Sequence, residues 1–358
     1  MRVGRTTRVI TTDTRRDNPF LHDGSHRRFM VSIYYPTPDS NSSEHESAYP
    51  ELFDPGVGTA KAFLTSMGAD LDYLYTLKTN VYKDADIMSG TLYPIIIYSP
   101  AFGIERDMYW FNIKKLVADG YVVLSIGATY ESVFTVFPDG EYVQQLKSLA
   151  DLGAKDREEW LKLLEIRTQD IQYVMNWLEE VYESDELLQH QIDPQNISLI
   201  GHSLGGAAVY RMLQDDSNIK AAILLDPSLH LMGTDPSYVH IPVLLLRQHS
   251  STYEMLKNDG WNEELARDTM NGQMHVANVL TGYKSFIKIH GANHITFSDV
   301  PIHFNETQID AKHEAINKVI TLFLTEFVHN QAGEYTNNLT EIMGISQINS
   351  DGTMLEES

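Results

Sequence analysis

The amino-acid sequence predicts an α/β protein with a mostly parallel central sheet and helices on both faces. Short apolar runs rich in β-branched residues recur along the chain, and amphipathic helical stretches separate them. The composition supports this class, because 42% hydrophobic and 21% charged residues over 358 positions supply a core of ordinary size. In such a sheet, ligand sites lie at the carboxyl ends of the strands.

Strands are predicted where short apolar runs are bounded by turn residues. In chain order they cover residues 28–35, 94–99, 121–126, 196–201, 220–226, 241–246 and 285–290. Residues 158–181 carry Ile171, Val174 and Leu178 at helical spacing, and residues 311–327 show a similar pattern. This alternation favours right-handed crossovers that cover both faces of the sheet.

The domain organisation is predicted from segment lengths and composition. One domain is expected over residues 1–330. Within it, residues 40–90 and 250–282 are too long for loops of a compact domain, contain helix-like pieces, and are predicted as insertions that line the substrate site. Residues 331–358 hold five acidic residues and no Lys or Arg, which predicts an acidic, poorly ordered C-terminal tail.

The charge balance excludes some classes of partner. Lys and Arg number 27 against 49 Asp and Glu, so the formal net charge is −22. Nucleic acid and anionic membrane surfaces select for basic proteins, so neither is expected as a partner. The same charge favours a neutral or zwitterionic small-molecule substrate over a polyanionic one.

The chain has no cysteine, which excludes disulfides, zinc–thiolate sites, iron–sulfur clusters and a cysteine nucleophile. No window approaches the roughly 18 consecutive apolar residues of a membrane span. A soluble protein is expected, cytoplasmic by default, although a secreted protein whose leader has been removed would have the same sequence. The sequence also lacks dinucleotide-binding and P-loop motifs and histidine–metal spacing, so no cofactor or metal is expected.

The strongest motif covers residues 201–206, with the sequence GHSLGG, between an apolar strand and a helical stretch. A serine on a strand-to-helix turn needs small residues two positions before and two after it, because the backbone there is strained. Gly201 and Gly205 meet that need, so Ser203 is predicted to be a nucleophile. The N–H of Leu204 would then lie at the positive end of the helix, where it can bind an oxyanion.

A serine nucleophile needs an imidazole base and an acid that fixes its tautomer. Asp226 ends an apolar strand directly before Pro227 and is the predicted acid, although the acid more commonly lies one strand later. His294 follows the last predicted strand and is the predicted base, because the order Ser, Asp, His is that of α/β-hydrolases. His290 and His303 are the alternatives for the base.

The second oxyanion donor is expected in the loop after the strand at residues 94–99, because that loop lies beside the nucleophile turn in this fold. The loop begins with Pro100, which has no N–H. The donor is therefore Ala101 or Phe102.

Several separated segments together resemble the platelet-activating factor acetylhydrolase family of the plasma and bacterial type, a branch of the α/β-hydrolases. They are residues 28–36, 93–99 with Phe102 and Gly103, 120–123, 137–140, 201–206, 225–227, and His294 with residues 297–299. The interval of 23 residues between Ser203 and Asp226 and the spacing from His294 to Phe297 and Asp299 are more specific than the serine motif. The resemblance covers about residues 28–329.

The resemblance implies a calcium-independent serine esterase that removes short or oxidised acyl chains, as in lipid degradation. It places the triad at Ser203, Asp226 and His294, and the two oxyanion donors at Leu204 and Phe102. The family commonly has His-Gly where this chain has Pro-Ala before Phe102.

Other functions fit the same residues. A general carboxylesterase, lipase, peptidase or polyester hydrolase could use the same triad, because fold and triad do not select the acyl chain. A hypothesis outside the enzymes is a non-catalytic hydrolase-like binding protein.

Overall fold

The computed structural model describes residues 2–12, 18–21, 23–39, 45–215, 218–233 and 238–355. The strands are β1 (Arg2–Thr11), β2 (Arg28–Thr37), β3 (Glu46–Ser47), β4 (Val81–Lys83), β5 (Tyr93–Ser99), β6 (Val122–Ile126), β7 (Phe134–Val136), β8 (Tyr142–Gln144), β9 (Ile192–His202), β10 (Ile219–Leu225), β11 (Val243–Arg247), β12 (Lys284–Ile289) and β13 (Ile345–Gln347). The α-helices are α1 (Val57–Ser66), α2 (Leu71–Thr76), α3 (Trp110–Ala118), α4 (Lys147–Ala150), α5 (Arg157–Ser184), α6 (Leu204–Asp215), α7 (Tyr253–Asn258), α8 (Glu263–Val279), α9 (Val300–His303) and α10 (Ile309–Phe327).

Contacts between residues divide the chain into two compact units. The first unit comprises Met1–Leu152, Gln169–Gln195 and Ser298–Thr307. The second comprises Gly153–Thr168, Asn196–Phe297 and Gln308–Ser358. A single domain over residues 1–330 stays a prediction.

In the first unit, the strand order is β5-β6-β2-β1-β4-β3. β5 and β6 are parallel, whereas β2 is antiparallel to both β6 and β1. The sequence patterns predict no strand over β1, because three arginines interrupt its apolar residues. The structure buries one of them, since Arg5 is 2% exposed and its guanidinium lies 2.9 Å from the carboxylate of Asp107. A buried ion pair therefore lets a charged sequence occupy an inner strand.

In the second unit, β9, β10, β11 and β12 are parallel neighbours in that order, and β13 pairs antiparallel with β12. The side chains of these four parallel strands, in β9 from Ile197 onwards, are almost all buried, as expected for strands covered on both faces. The register aligns Leu225 with His202 on one side and with Leu246 on the other. The carboxyl ends of β9, β10 and β11 therefore lie at one edge.

The predicted fold class is confirmed, because a mostly parallel sheet alternates with helices along the chain. Both predicted long helices are present as α5 and α10, and the helix-like pieces of the two insertions are α1 and α8. Residues 40–44 of the first insertion lie outside the described residues. That the insertions line a substrate site stays a prediction.

The C-terminal segment differs from the poorly ordered tail that its composition predicts. Within residues 331–355, β13 pairs with β12 and the side chain of Tyr335 is fully buried. The Tyr335 ring centroid lies 5.4 Å from that of Phe323, and its hydroxyl is 2.7 Å from the hydroxyl of Ser285. Spaced aromatic and aliphatic residues hold this segment against the second unit while its acids face solvent. Residues 356–358 lie outside the described residues.

We expect Tyr335→Ala to lower the free energy of unfolding by about 3 kcal/mol, because it removes a buried aromatic ring and one hydrogen bond. Denaturation by urea, followed by circular dichroism, measures the effect. The matched control is Met343→Ala in the same segment, whose side chain is 89% exposed, with an expected change within about 0.5 kcal/mol. Equal midpoints for the two variants would contradict docking of this segment in solution.

Candidate active site

Ser203 lies on the turn between β9 and α6, with a φ of +56°. A non-glycine residue rarely adopts this left-handed conformation, so surrounding contacts must enforce it. The Ser203 N–H donates to the carbonyl of Leu225 at 3.0 Å, and the Ser203 carbonyl accepts from the N–H of Ser228 at 2.9 Å. These bonds fix the turn against the end of β10.

The glycines around Ser203 are required by close backbone approach. A Cβ on Gly201 would lie 2.3 Å from the carbonyl oxygen of Gly205. A Cβ on Gly206 would lie 2.9 Å from both the carbonyl oxygen of Gly201 and the Cβ of Pro227. The steric reason predicted for glycine at position 201 is thus present in the structure, and Gly206 has a similar role.

Leu204 is the first residue of α6. The first N–H groups of a helix have no carbonyl acceptor within the helix, and the helix dipole makes this end electropositive. The Leu204 side chain is buried, so only its backbone is suited to contact a ligand. Its role as an oxyanion donor stays a prediction.

The structure brings the three predicted triad residues together within the second unit. His294 Nε2 lies 2.9 Å from Ser203 Oγ, and His294 Nδ1 lies 2.6 Å from Asp226 Oδ2. Asp226 is 3% exposed, whereas the His294 side chain is 43% exposed. The imidazole thus bridges a nearly buried hydroxyl and a buried carboxylate while keeping one side open to solvent.

Asp226 follows β10 with a φ of +37° and has a separate partner for each carboxylate oxygen. Oδ2 faces His294, while Oδ1 accepts the N–H of Gln248 at 3.2 Å and lies 3.4 Å from Arg247 Nη1. Burial by itself raises the pKa of Asp226, but the charge of Arg247 and the hydrogen bonds from His294 and Gln248 lower this pKa to about 2. The carboxylate is therefore ionised at neutral pH.

The two alternative bases have other partners. His290 Nε2 lies 2.8 Å from Ser346 Oγ, and His303, in the first unit, has its Nε2 2.8 Å from the hydroxyl of Tyr49. Burial lowers the pKa of His303 to about 4. Among the histidines of the second unit's described residues, His294 is the one placed within hydrogen-bonding distance of Ser203 Oγ.

Three neighbours of the triad were not predicted. Ser228 Oγ lies 3.4 Å from Ser203 Oγ, and Arg247 approaches Asp226. His202 donates its Nε2–H to the carbonyl of His294 at 3.0 Å, and burial together with the nearby His294 lowers its pKa to about 3, so it is neutral. Their positions at the ends of β9, β10 and β11 were the available signal in the sequence.

The loop after β5 belongs to the first unit. The N–H of Ala101 donates to the hydroxyl of Tyr109 at 2.8 Å, so this amide is already engaged. Phe102, the next residue, is partly buried. The assignment of the second oxyanion donor to Phe102 or Ala101 stays a prediction.

Within the described ranges, no group of three His, Asp or Glu side chains is placed to hold a metal ion. In the same residues, no helix is both long and apolar enough to cross a membrane.

A parallel sheet with a strained serine on a strand-to-helix turn, followed by Asp and His at later strand ends, defines the α/β-hydrolase fold. A solved structure of this kind, a ferulic acid esterase from Streptomyces cinnamoneus, matches 97% of this chain and 96% of its own with a TM-score of 0.75 at 20% identity. The family model for platelet-activating factor acetylhydrolase, isoform II, matches residues 18–311. The chain belongs to this family.

The curated relatives of this chain are platelet-activating factor acetylhydrolases of low sequence identity. The platelet-activating factor acetylhydrolase of Cavia porcellus is 24% identical over an alignment of 224 residues, and the match covers 58% of this chain and 51% of that protein. The Canis lupus familiaris protein is 24% identical over an alignment of 264 residues, with coverages of 66% and 58%. The Gallus gallus protein is 21% identical over an alignment of 300 residues, with coverages of 75% and 68%. The matched region thus spans about half to two-thirds of these curated relatives.

Proposed function

We propose that this protein is a serine ester hydrolase that removes short, acetyl-like acyl groups without a metal or organic cofactor. In this proposal Ser203 is the nucleophile, His294 the general base and acid, and Asp226 the acid that orients His294. The observation that carries it is the bridging imidazole, 2.9 Å from the Ser203 hydroxyl and 2.6 Å from the Asp226 carboxylate. In this arrangement the imidazole can take the proton of the serine hydroxyl, and the carboxylate stabilises the imidazolium that forms.

The first half of the reaction forms an acyl-enzyme. Ser203 Oγ attacks the ester carbonyl carbon as its proton passes to His294 Nε2, and the carbonyl electrons move to the oxygen. When the tetrahedral intermediate collapses, its bond to the leaving alkoxide breaks and His294 returns the proton to that oxygen. The products of this half are a free alcohol and an ester on Ser203.

In the second half, water replaces the alcohol. His294 takes a proton from water as the water oxygen attacks the acyl carbon. When the resulting tetrahedral intermediate collapses, its bond to Ser203 Oγ breaks and His294 returns the proton to Ser203 Oγ. A carboxylic acid leaves. In both halves the backbone N–H groups of Leu204 and Phe102 are the proposed donors to the oxyanion, and such donors contribute about 3 kcal/mol each to transition-state stabilisation.

The proposed substrate is a neutral or zwitterionic ester with a short acyl chain. Membership of the family supports an acetyl-like group, because its curated members are named platelet-activating factor acetylhydrolases. The net charge of −22 supports neutral or zwitterionic over polyanionic molecules. A 1-alkyl-2-acetylglycerophosphocholine meets both conditions.

A series of nitrophenyl esters that differ only in acyl length tests the proposal. We expect kcat/KM to be highest for acetyl to butyryl esters and to fall at least about tenfold for octanoyl and longer chains, because each unaccommodated methylene weakens transition-state binding. EDTA is expected to leave the rates unchanged, and Ser203→Ala serves as the inactive control.

The other outcomes identify the alternatives. A preference for long chains contradicts an acetylhydrolase and points to a lipase-like or general carboxylesterase. A folded protein that hydrolyses no ester and does not react with a fluorophosphonate at Ser203 contradicts the enzyme and points to a non-catalytic binding protein.

A further inference from the structure

The end of β11 carries an arginine where it meets the predicted triad acid. β10 and β11 are parallel with Leu225 opposite Leu246, and the N–H of Asp226 donates to the carbonyl of Leu246 at 2.8 Å. The next residues on the two strands, Asp226 and Arg247, therefore emerge at the same edge. They are 3% and 2% exposed. The position one strand after Asp226, where such folds more often carry the acid, thus holds a cation.

The contacts of Asp226 divide between its two oxygens. Arg247 Nη1 and the N–H of Gln248 lie 3.4 Å and 3.2 Å from Oδ1, while His294 Nδ1 lies 2.6 Å from Oδ2. Arg247 therefore approaches the carboxylate without competing for the oxygen that faces the imidazole. A carboxylate held at Oδ1 can rotate little, so Oδ2 stays directed at His294.

Packing alone does not account for a charged side chain at this place. Burial lowers the pKa of Arg247, and its Nε and Nη2 contact no acceptor among the described residues. Among the described residues, the acidic group with which Arg247 forms an ion pair is the carboxylate of Asp226. Removing one partner of a buried ion pair leaves the other charge without compensation, so Asp226 is the group that a change at Arg247 affects.

We propose that Arg247 is a positioning residue of the triad, which holds Asp226 ionised and oriented and thereby keeps His294 available as a base at acidic pH. This inference rests on the proposed function, since it assigns Asp226 and His294 the roles given above. Arg247 itself touches neither substrate nor the reacting atoms in this proposal.

The expected pH effect has a defined sign. The positive charge of Arg247 lies beside Asp226, where it stabilises the ionised carboxylate and disfavours its protonation. The other titratable groups that interact with Asp226 or His294 in the described residues are His202 on β9 and His230 after β10. Burial lowers the pKa of His202 to about 3 and that of His230 to about 4, so both are neutral at neutral pH. Removing the charge of Arg247 should therefore move the acid limb of the kcat/KM profile to higher pH.

The test compares Arg247→Met and Arg247→Gln, which remove the charge, with Arg247→Lys, which keeps it. For each folded variant, kcat/KM for a short-chain ester is measured from about pH 4 to about pH 9. We expect the midpoint of the acid limb to rise by about one pH unit in the Met and Gln variants and by less than about 0.3 unit in the Lys variant. KM should change little, because Arg247 does not contact substrate.

Two results would overturn the inference while leaving the proposed function intact. One is an unchanged acid limb in both neutral variants. The other is a uniform loss of kcat/KM at every pH, equal in the Lys and Gln variants, which indicates a packing role. If the Met variant does not fold, the Gln and Lys pair decides. A wild-type protein that neither hydrolyses esters nor reacts with a fluorophosphonate overturns both the inference and the proposed function.

Discussion

Replacing Ser203 with alanine is expected to lower kcat for ester hydrolysis by at least about 10⁴-fold at neutral pH. The variant keeps the fold, because the turn is held by backbone hydrogen bonds to Leu225 and Ser228 that do not involve the side chain. What it loses is the hydroxyl 2.9 Å from His294 Nε2. Without it no acyl-enzyme forms, and only slow attack by water in the oxyanion site remains.

Ser228→Ala is the matched control, because its hydroxyl lies 3.4 Å from Ser203 Oγ and is the nearest competing nucleophile described. A fluorophosphonate should label the wild type and Ser228→Ala at one site but leave Ser203→Ala unlabelled, as mass spectrometry of the tryptic peptides would show. Labelling that persists in Ser203→Ala and disappears in Ser228→Ala would assign the nucleophile to Ser228 instead.

The nucleophile turn could be predicted from sequence because its causes are local. The carbonyl oxygen of Gly205 comes so close to residue 201 that only glycine fits there, and Gly201 and Gly205 flank one serine between an apolar strand and a helix. Asp226 could be predicted because Pro227 ends the apolar strand directly after it, which places this acid at the carboxyl end of a strand. His294 could be predicted from its place shortly after the last predicted strand, together with the order Ser, Asp, His. The structure places all three side chains in contact, although their catalytic roles stay predictions.

The surroundings of the triad could not be predicted in the same way. Arg247 meets Asp226 only because β10 and β11 are neighbours in register, and a single sequence does not state which strands pair. Arg247 directly follows the apolar run at residues 241–246, and nothing in that run indicates a partner for it. His202 likewise contacts a backbone carbonyl 92 residues away.

The differences in fold have the same physical origin. β1 was not predicted because the burial of Arg5 depends on Asp107, which lies 102 residues along the chain. The C-terminal segment was not predicted to dock because β13 has three residues and its register depends on β12. Local composition describes such segments as charged or polar, while distant partners decide whether they are buried.

A second large effect is expected for Asp226→Asn, because it changes the tautomer of His294 rather than the geometry of the site. Asparagine has nearly the same shape and tolerates the φ of +37° found at this position. Its carbonyl oxygen can take the place of Oδ1 beside Gln248 and Arg247, which turns its NH₂ group toward His294 Nδ1. His294 must then accept at Nδ1 and carry its proton on Nε2.

An imidazole protonated at Nε2 cannot take the proton of Ser203, so kcat for ester hydrolysis is expected to fall by about 10⁴-fold at neutral pH while KM changes little. Asp299→Asn is the control for loss of a buried acid. Asp299 accepts from the N–H groups of Trp110 and Phe111 in the first unit, so its replacement should lower the melting temperature, while kcat of the folded protein falls much less than in Asp226→Asn. An Asp226→Asn protein that keeps more than about a tenth of wild-type kcat would contradict Asp226 as the triad acid. An Asp299→Asn protein that folds as well as the wild type yet loses about 10⁴-fold in kcat would move that assignment to Asp299.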